Sequence, residues 1–438
     1  MVAIIYGLIF FDLINVDFGL SYTLITIGIY VVSNTIYFRK QKNIVCFESL
    51  FALTFAFACF LTYFIVKEGT GYAFFAFSSN PKSLVKGVAL AMIGYHCYLS
   101  GLVPVKTNML NPSNVPKNTI RMQSEMASLA NWACLFVFVF FIATGGMNVL
   151  LMYTGDIERE DANIGILLYW ILAYIVAAFA SFSSVHFSKS ANVLLNVLKL
   201  NKMFFINTIL VVAFLLLSGY RSQAMQIIIP LLICYSVYVQ KISAKMFFSI
   251  LLVGFVVMIV IGMTRSGGDI ESDVSTLYYF RDFNAANASL GFFVEEVNRN
   301  GVTGGSNYIP QALSFVPYLQ SIVGNFVDFN SFALPSSRYY TGVFDTGSGL
   351  GTNIIGDIYY TFGFVGVVVI MFLMGRFCSY LSSQKSKYVF LMYLIFSGNS
   401  IFAARVELLY VVRMLALGCI MLFAISILSK MIMNKKSI

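Results

Sequence analysis

Long apolar runs alternate with short polar breaks along almost the whole chain. The runs cover 2–16, 20–38, 44–66, 83–104, 129–151, 164–185, 203–219, 223–240, 246–263, 352–374, 388–403 and 410–429. They are about 16–23 residues long and show no strict alternation, which fits helices crossing hydrocarbon and not the alternating strands of a barrel. Backbone groups in lipid must pair within the segment, so each run predicts a helix. Twelve spans result. The first is short, and the eleventh is interrupted by Ser397, Gly398, Asn399 and Ser400. With either one re-entrant, the count falls to eleven or ten. Residues 274–297 and 309–326 predict two further helices inside the one long connection, about 264–351, with Pro310 in the first turn of the second.

Composition agrees with this pattern. Hydrophobic residues make up 59% of the 438 residues, mean hydropathy is +0.83, and only 11% are charged, against about a quarter in soluble domains. The reading is an all-α polytopic membrane protein, 1–438, forming a single membrane domain with one large loop. No internal repeat stands out. The N-terminus lacks a basic region and a cleavage site, so Met1 onward reads as a retained span. The seven cysteines lie in or beside apolar runs without CxxC spacing, which predicts neither a disulfide framework nor a zinc site.

Charge placement orients the spans. With the N-terminus inside, the cytoplasmic breaks hold 14 Lys and 3 Arg, and the outer side 3 Lys and 8 Arg. Every inner break is then basic, as the positive-inside rule requires, and both termini are cytoplasmic. The outer excess of Arg goes beyond topology, which Lys already satisfies. A guanidinium grips phosphate or carboxylate through two parallel hydrogen bonds, so the outer face is expected to bind an anion. The net charge of +9 is explained by this distribution, without nucleic acid.

The connection 264–351 is rich in Tyr and Phe. A loop of this length in a compact protein is usually functional, and it is expected to lie as a lid over a cavity. Asn298–Asn307, rich in Gly and Asn, predicts a turn.

Four stretches carry candidate chemistry. Ser218-Gly219-Tyr220-Arg221 joins two runs with almost no loop and holds Arg221 at the boundary; lipid headgroups or a lipid-linked phosphate would both suit it. Arg265, Arg281-Asp282, Glu295 and Glu296 follow around the first loop helix, where paired carboxylates beside arginines suit a general base or simply a solvated face. Gly349-Leu350-Gly351-Thr352-Asn353 leads into the tenth span, with Thr352 and Asn353 as N-cap candidates and Asp357 one turn inside. An acidic group there is costly and marks function, or a structural Arg pair. Arg405, Glu407 and Arg413 sit at the junction of the last two spans, as headgroup anchors or as partners of the loop. A P-loop, an HExxH motif, a DxD pair in the loop and an outer Ser-His pair are all missing, which argues against nucleotide and metal chemistry.

The span layout, the Ser218–Arg221 hairpin, the Arg- and aromatic-rich loop and the stretch Gly349–Asn353 with Gly356-Asp357-Ile358-Tyr359-Tyr360-Thr361-Phe362-Gly363 resemble bacterial O-antigen or capsule repeat-unit polymerases of the Wzy type. The resemblance in layout covers nearly the whole chain; local likeness is confined to 215–225, 280–283 and 347–375. It implies a membrane glycosyltransferase of the C superfamily, metal-independent and without cofactor. Such an enzyme joins undecaprenyl-pyrophosphate-linked oligosaccharides at the periplasmic face of the inner membrane. Its implied partners are those lipid-linked sugars, membrane lipids and a chain-length regulator, and not nucleic acid. On this reading Arg221, Arg281, Arg405, Arg265 and Arg338 bind pyrophosphate, and Asp357, Asp282, Glu295 or Glu296 acts as base. The related O-antigen ligases use a loop histidine, which this loop lacks. A lipid-linked oligosaccharide flippase is the transporter alternative, but it needs no 88-residue outer loop and would show two similar halves.

Overall fold

The computed structural model describes residues 1–438 apart from 40, 42, 69–79, 103–116, 147, 149–163, 187–201, 218–220, 239–240, 266–280, 317–318, 345–349, 384–386 and 437–438. The regular structure among the described residues is helical, with no strand. Among the described residues, five helical stretches are long and apolar enough to cross a membrane: Leu20–Phe38, Phe47–Ile65, Met126–Gly146, Ile166–Ser183 and Ile354–Ser382.

In chain order the helices are α1 (Val2–Phe10), α2 (Leu20–Phe38), α3 (Phe47–Cys59), α4 (Thr62–Glu68), α5 (Pro81–Gly101), α6 (Lys117–Phe141), α7 (Ile164–His186), α8 (Lys202–Leu217), α9 (Arg221–Tyr238), α10 (Ala244–Arg265), α11 (Arg281–Asn300), α12 (Tyr308–Leu313), α13 (Leu319–Gly324), α14 (Ser336–Phe344), α15 (Ile354–Ser382), α16 (Lys387–Gly398) and α17 (Leu408–Lys436). Most coincide with the apolar runs to within a few residues. Four differences have local causes. The first run yields a helix of nine residues, about 14 Å long, ending just before Asp12, whose φ is +58°. The run 44–66 is broken at Phe60 into α3 and α4. The run 352–374 continues to Ser382 and is kinked at Gly363, where φ is +67°, a value open to glycine at little cost. The expected helix 309–326 is two helices of six residues each.

The chain packs as two compact units. Unit 1 comprises Met1–Val105, Leu252–Tyr380 and Ser400–Arg413; unit 2 comprises Lys106–Leu251, Leu381–Asn399 and Met414–Ile438.

Unit 2 is stitched by buried amides. Asn131 on α6 donates to Ser181 on α7 at 3.0 Å and accepts from Asn207 on α8. Gln226 on α9 donates to Asn399 at 3.0 Å. Trp170 stacks on Phe141, packs at a tilt against Phe138 and meets Phe214 edge-on. Apolar helices in lipid gain little from burying apolar area, so such polar links and close packing hold them together.

Unit 1 uses small residues and asparagines. A Cβ on Gly101 of α5 would lie 2.2 Å from the Phe372 carbonyl oxygen of α15, and one on Gly375 would lie 2.2 Å from the Tyr98 carbonyl oxygen. Only glycine lets these two backbones touch. At the break between α3 and α4, Asn287 of α11 donates to the Phe57 carbonyl and accepts from the Leu61 amide at 3.0 Å and the Thr62 hydroxyl at 3.2 Å. Asn353 donates to the Ala58 carbonyl at 3.0 Å. Two amide side chains thus satisfy the ends freed by the break, as a low-dielectric setting demands.

Candidate functional site around Asp357

The N-terminal turn of α15 is capped as its sequence suggests: the Asn353 side chain accepts from the Ile355 amide at 2.9 Å. Thr352, the other candidate, makes no such bond; its hydroxyl is buried with no partner among the described residues. The cap sets Asp357 one turn inside, on the buried face of the helix and fully shielded from solvent.

Neutral donors surround Asp357. Tyr308, at the start of α12, donates its hydroxyl to Oδ2 at 2.5 Å; Ser336, at the start of α14, donates to Oδ1 at 2.6 Å; the Leu408 amide, at the start of α17, donates to Oδ2 at 3.0 Å. The sequence left a structural Arg pair open as one explanation of this residue. Among the described residues no arginine bonds to it. Both its oxygens are occupied by helix-start groups from three separate segments, which makes Asp357 a hub. Burial, together with the neighbouring carboxylate, raises the Tyr308 hydroxyl well above its ordinary pKa, so it stays a donor at neutral pH.

A second carboxylate lies beside the first. Glu407 accepts both the Ser337 amide at 2.9 Å and the Ser337 hydroxyl at 2.6 Å on one oxygen, Oε1. It caps α14 where the helix dipole favours an anion. Its Oε2 has no partner among the described residues. The junction carrying Glu407 runs against the entry to α15, since the Ile354 amide donates to the Ala404 carbonyl at 3.2 Å. Arg405 on this junction is half-buried, its guanidinium 5.3 Å from the Phe402 ring. Arg413, one and a half turns into α17, has a buried Nε with no partner among the described residues.

Around this centre the polar chain continues. Asn307 accepts from Thr303 at 2.7 Å and donates to Thr361 at 3.0 Å, and Thr361 donates back to the Asp357 carbonyl at 2.8 Å. Above it, an aromatic cluster of Phe293, Tyr340 and Tyr360 packs α11 and α14 onto α15, with Phe292, Tyr339 and Phe344 at its edge. Tyr339 stacks on Tyr360 at 5.5 Å and donates to Glu296 at 2.6 Å. Burial and the Glu296 carboxylate push the Tyr339 hydroxyl up to about 12.

The remaining candidates divide clearly. Glu295 is paired with Arg299 on the surface of α11, and Glu296 also accepts from Asn300 at 2.6 Å. Arg338 lies in the first turn of α14 and is exposed. Arg221 opens α9, Arg265 closes α10, and Arg281 with Asp282 opens α11; the side chains of these four, and the residues 218–220 and 345–349, lie outside the described set. Of the candidate residues, then, Asp357 and Glu407 lie beside one another at the entry of α15, and Arg405 and Arg413 share with Glu407 the junction that meets it. Tyr308, Ser336 and Ser337 carry no signal in a single sequence, because hydroxyl residues are common in any polar connection.

Compared with protein-family models, curated proteins and solved structures, the chain matches none.

Proposed function

We propose that the chain polymerises lipid-pyrophosphate-linked oligosaccharide units, as a metal-independent glycosyltransferase of the Wzy type with a C-superfamily-like fold. On this reading about twelve spans lie in a bacterial inner membrane, both termini are cytoplasmic, and the 264–351 connection and the Asp357 centre are periplasmic. The observation that supports the proposal is the junction 404–408, which meets the entry of α15, sets Glu407 beside Asp357 and carries Arg405 in the same short segment.

Such a site suits a reaction whose donor brings its own leaving group. Guanidinium groups offset the charge that develops on a departing pyrophosphate. A carboxylate removes the proton of the acceptor hydroxyl. Asp357 has both oxygens engaged and is better suited to positioning. Glu407, whose Oε2 has no partner among the described residues, is the better base, and the half-buried Tyr339 ring is available to a sugar.

The test is made in the native host. Glu407→Gln and Arg405→Ala should each reduce long polymer about 10²-fold or more, leaving single repeat units, while the protein still inserts. Wild-type polymer length from both variants would remove the assignment. Loss of attachment to the lipid core with polymer still formed would point to a ligase instead.

A further inference from the structure

Between Arg299 and Arg338 the chain carries one charged residue, Asp328. A water-facing connection of that length ordinarily hides its apolar side chains or breaks them up with charge. Here they are exposed: Val302 is 47% exposed, Val316 47%, Ile322 55% and Phe326 84%. The helices in this stretch, α12 and α13, have six residues each and are far too short to cross a bilayer.

Attachment points near its start set the level of residues 302–308. The Thr303 amide donates to the Tyr360 carbonyl at 3.0 Å. Val302 lies against Gly363, with Cγ1 3.3 Å from where a Cβ would stand, and Tyr308 meets the Phe362 ring edge-on at 5.6 Å. Tyr360–Gly363 fall within the uncharged stretch 358–375 of α15, bounded by Asp357 and Arg376. At 1.5 Å per residue they lie about 4–9 Å inside the Asp357 end of that stretch. Phe362, Val365, Val369 and Leu373 are exposed along one stripe of α15, and Val302 extends that stripe sideways.

Beyond these attachment points, the backbone pairing recorded among the described residues is local. The amides of Ser314, Phe315, Leu319, Asn325, Phe326 and Val327 each bond a carbonyl three or four residues back. A segment with its amides already paired in this way can leave water at low cost.

We propose that residues 302–316 and 319–334 lie in the interfacial layer of the bilayer at the Asp357 end of α15, with Val316, Ile322 and Phe326 among the acyl chains. The depth matches that of an interfacial helix, about 5–10 Å below the headgroups. Lipid is the occupant of this face because its exposed surface continues the stripe of a spanning helix and lacks the charged rim of a protein interface. An embedded segment requires only the spanning helices, and no particular chemistry at Asp357 or Glu407.

The test uses the full-length protein in vesicles of phosphatidylethanolamine and phosphatidylglycerol, with the photoreactive analogue benzoylphenylalanine replacing Phe326, and separately Ile322. Illumination should give a mass increase of one phospholipid at either position, and no such adduct when the analogue replaces exposed Asn298. A parallel Phe326→Trp variant should lose its added emission to brominated lipid and keep it in iodide. Adducts to a second copy or to another polypeptide, no lipid adduct at either position, or quenching by iodide alone would overturn the proposal. Polymer synthesis is not part of the readout, so failure here leaves the transferase reading standing, and the converse holds.

Discussion

At the residue scale, Asp357 and Asn287 do comparable work by different chemistry. Asp357 gathers donors from residues 49, 21 and 51 positions away in sequence. Asp357→Ala would strand two hydroxyls and an amide in a dry environment, at about 1–3 kcal/mol for each buried group left unpaired. Thermal unfolding of the purified protein in detergent should show a large drop in midpoint for the Ala variant and a smaller one for Asp357→Asn, which keeps one acceptor oxygen. Asn287→Ala would free the Phe57 carbonyl and the Leu61 amide together, and a loss of similar size is expected in the same measurement. Tyr339 gives a pH signature. Its folded pKa, about 12, lies above the ordinary value near 10. The stability from holding this hydroxyl neutral, by burial first and by its bond to Glu296 second, is therefore fully present below about pH 10 and lost as pH rises through about 12; Tyr339→Phe should flatten that part of the stability–pH curve. Asp357 is legible in sequence, because a carboxylate within an apolar run stands out. Its partners are not, since nothing local marks Tyr308 or Ser336 among so many hydroxyl residues.

At the element scale, the periodicity that betrays a spanning helix is blind to where that helix breaks. The run 44–66 reads as continuous, yet it is divided at Phe60 because Asn287 and Asn353 supply bonds that the helix would otherwise make to itself. The short helices α12 and α13 illustrate the opposite limit: without charge and without strong periodicity, 309–326 looks like one element, yet it holds two helices of six residues each. Contacts between α5 and α15 depend on glycine at Gly101 and Gly375. Ala at either position must push two backbones apart, and overpacking of this kind costs about 1–3 kcal/mol. Gly101→Ala and Gly375→Ala should each lower the yield of folded protein and its resistance to detergent-phase unfolding, whereas Gly28→Ala, where an added Cβ meets nothing within 4 Å, should be neutral.

At the scale of the whole molecule, the proposed topology makes one direct claim. Cysteine placed at exposed Asn298 should react with a membrane-impermeant maleimide in intact cells; reaction only after the cells are broken would invert the orientation. By itself the sequence determined the class of structure: apolar runs of spanning length, without the strict alternation of a barrel, in a chain with 11% charge point to helices in lipid. It also narrowed the cap to Thr352 or Asn353 and marked the odd placement of Asp357, because both are local departures from an apolar background. Only the tertiary structure decided what those residues meet. Contacts between groups dozens of positions apart depend on how helices cross, and single side chains such as Asn287 fix that crossing without leaving any pattern along the chain.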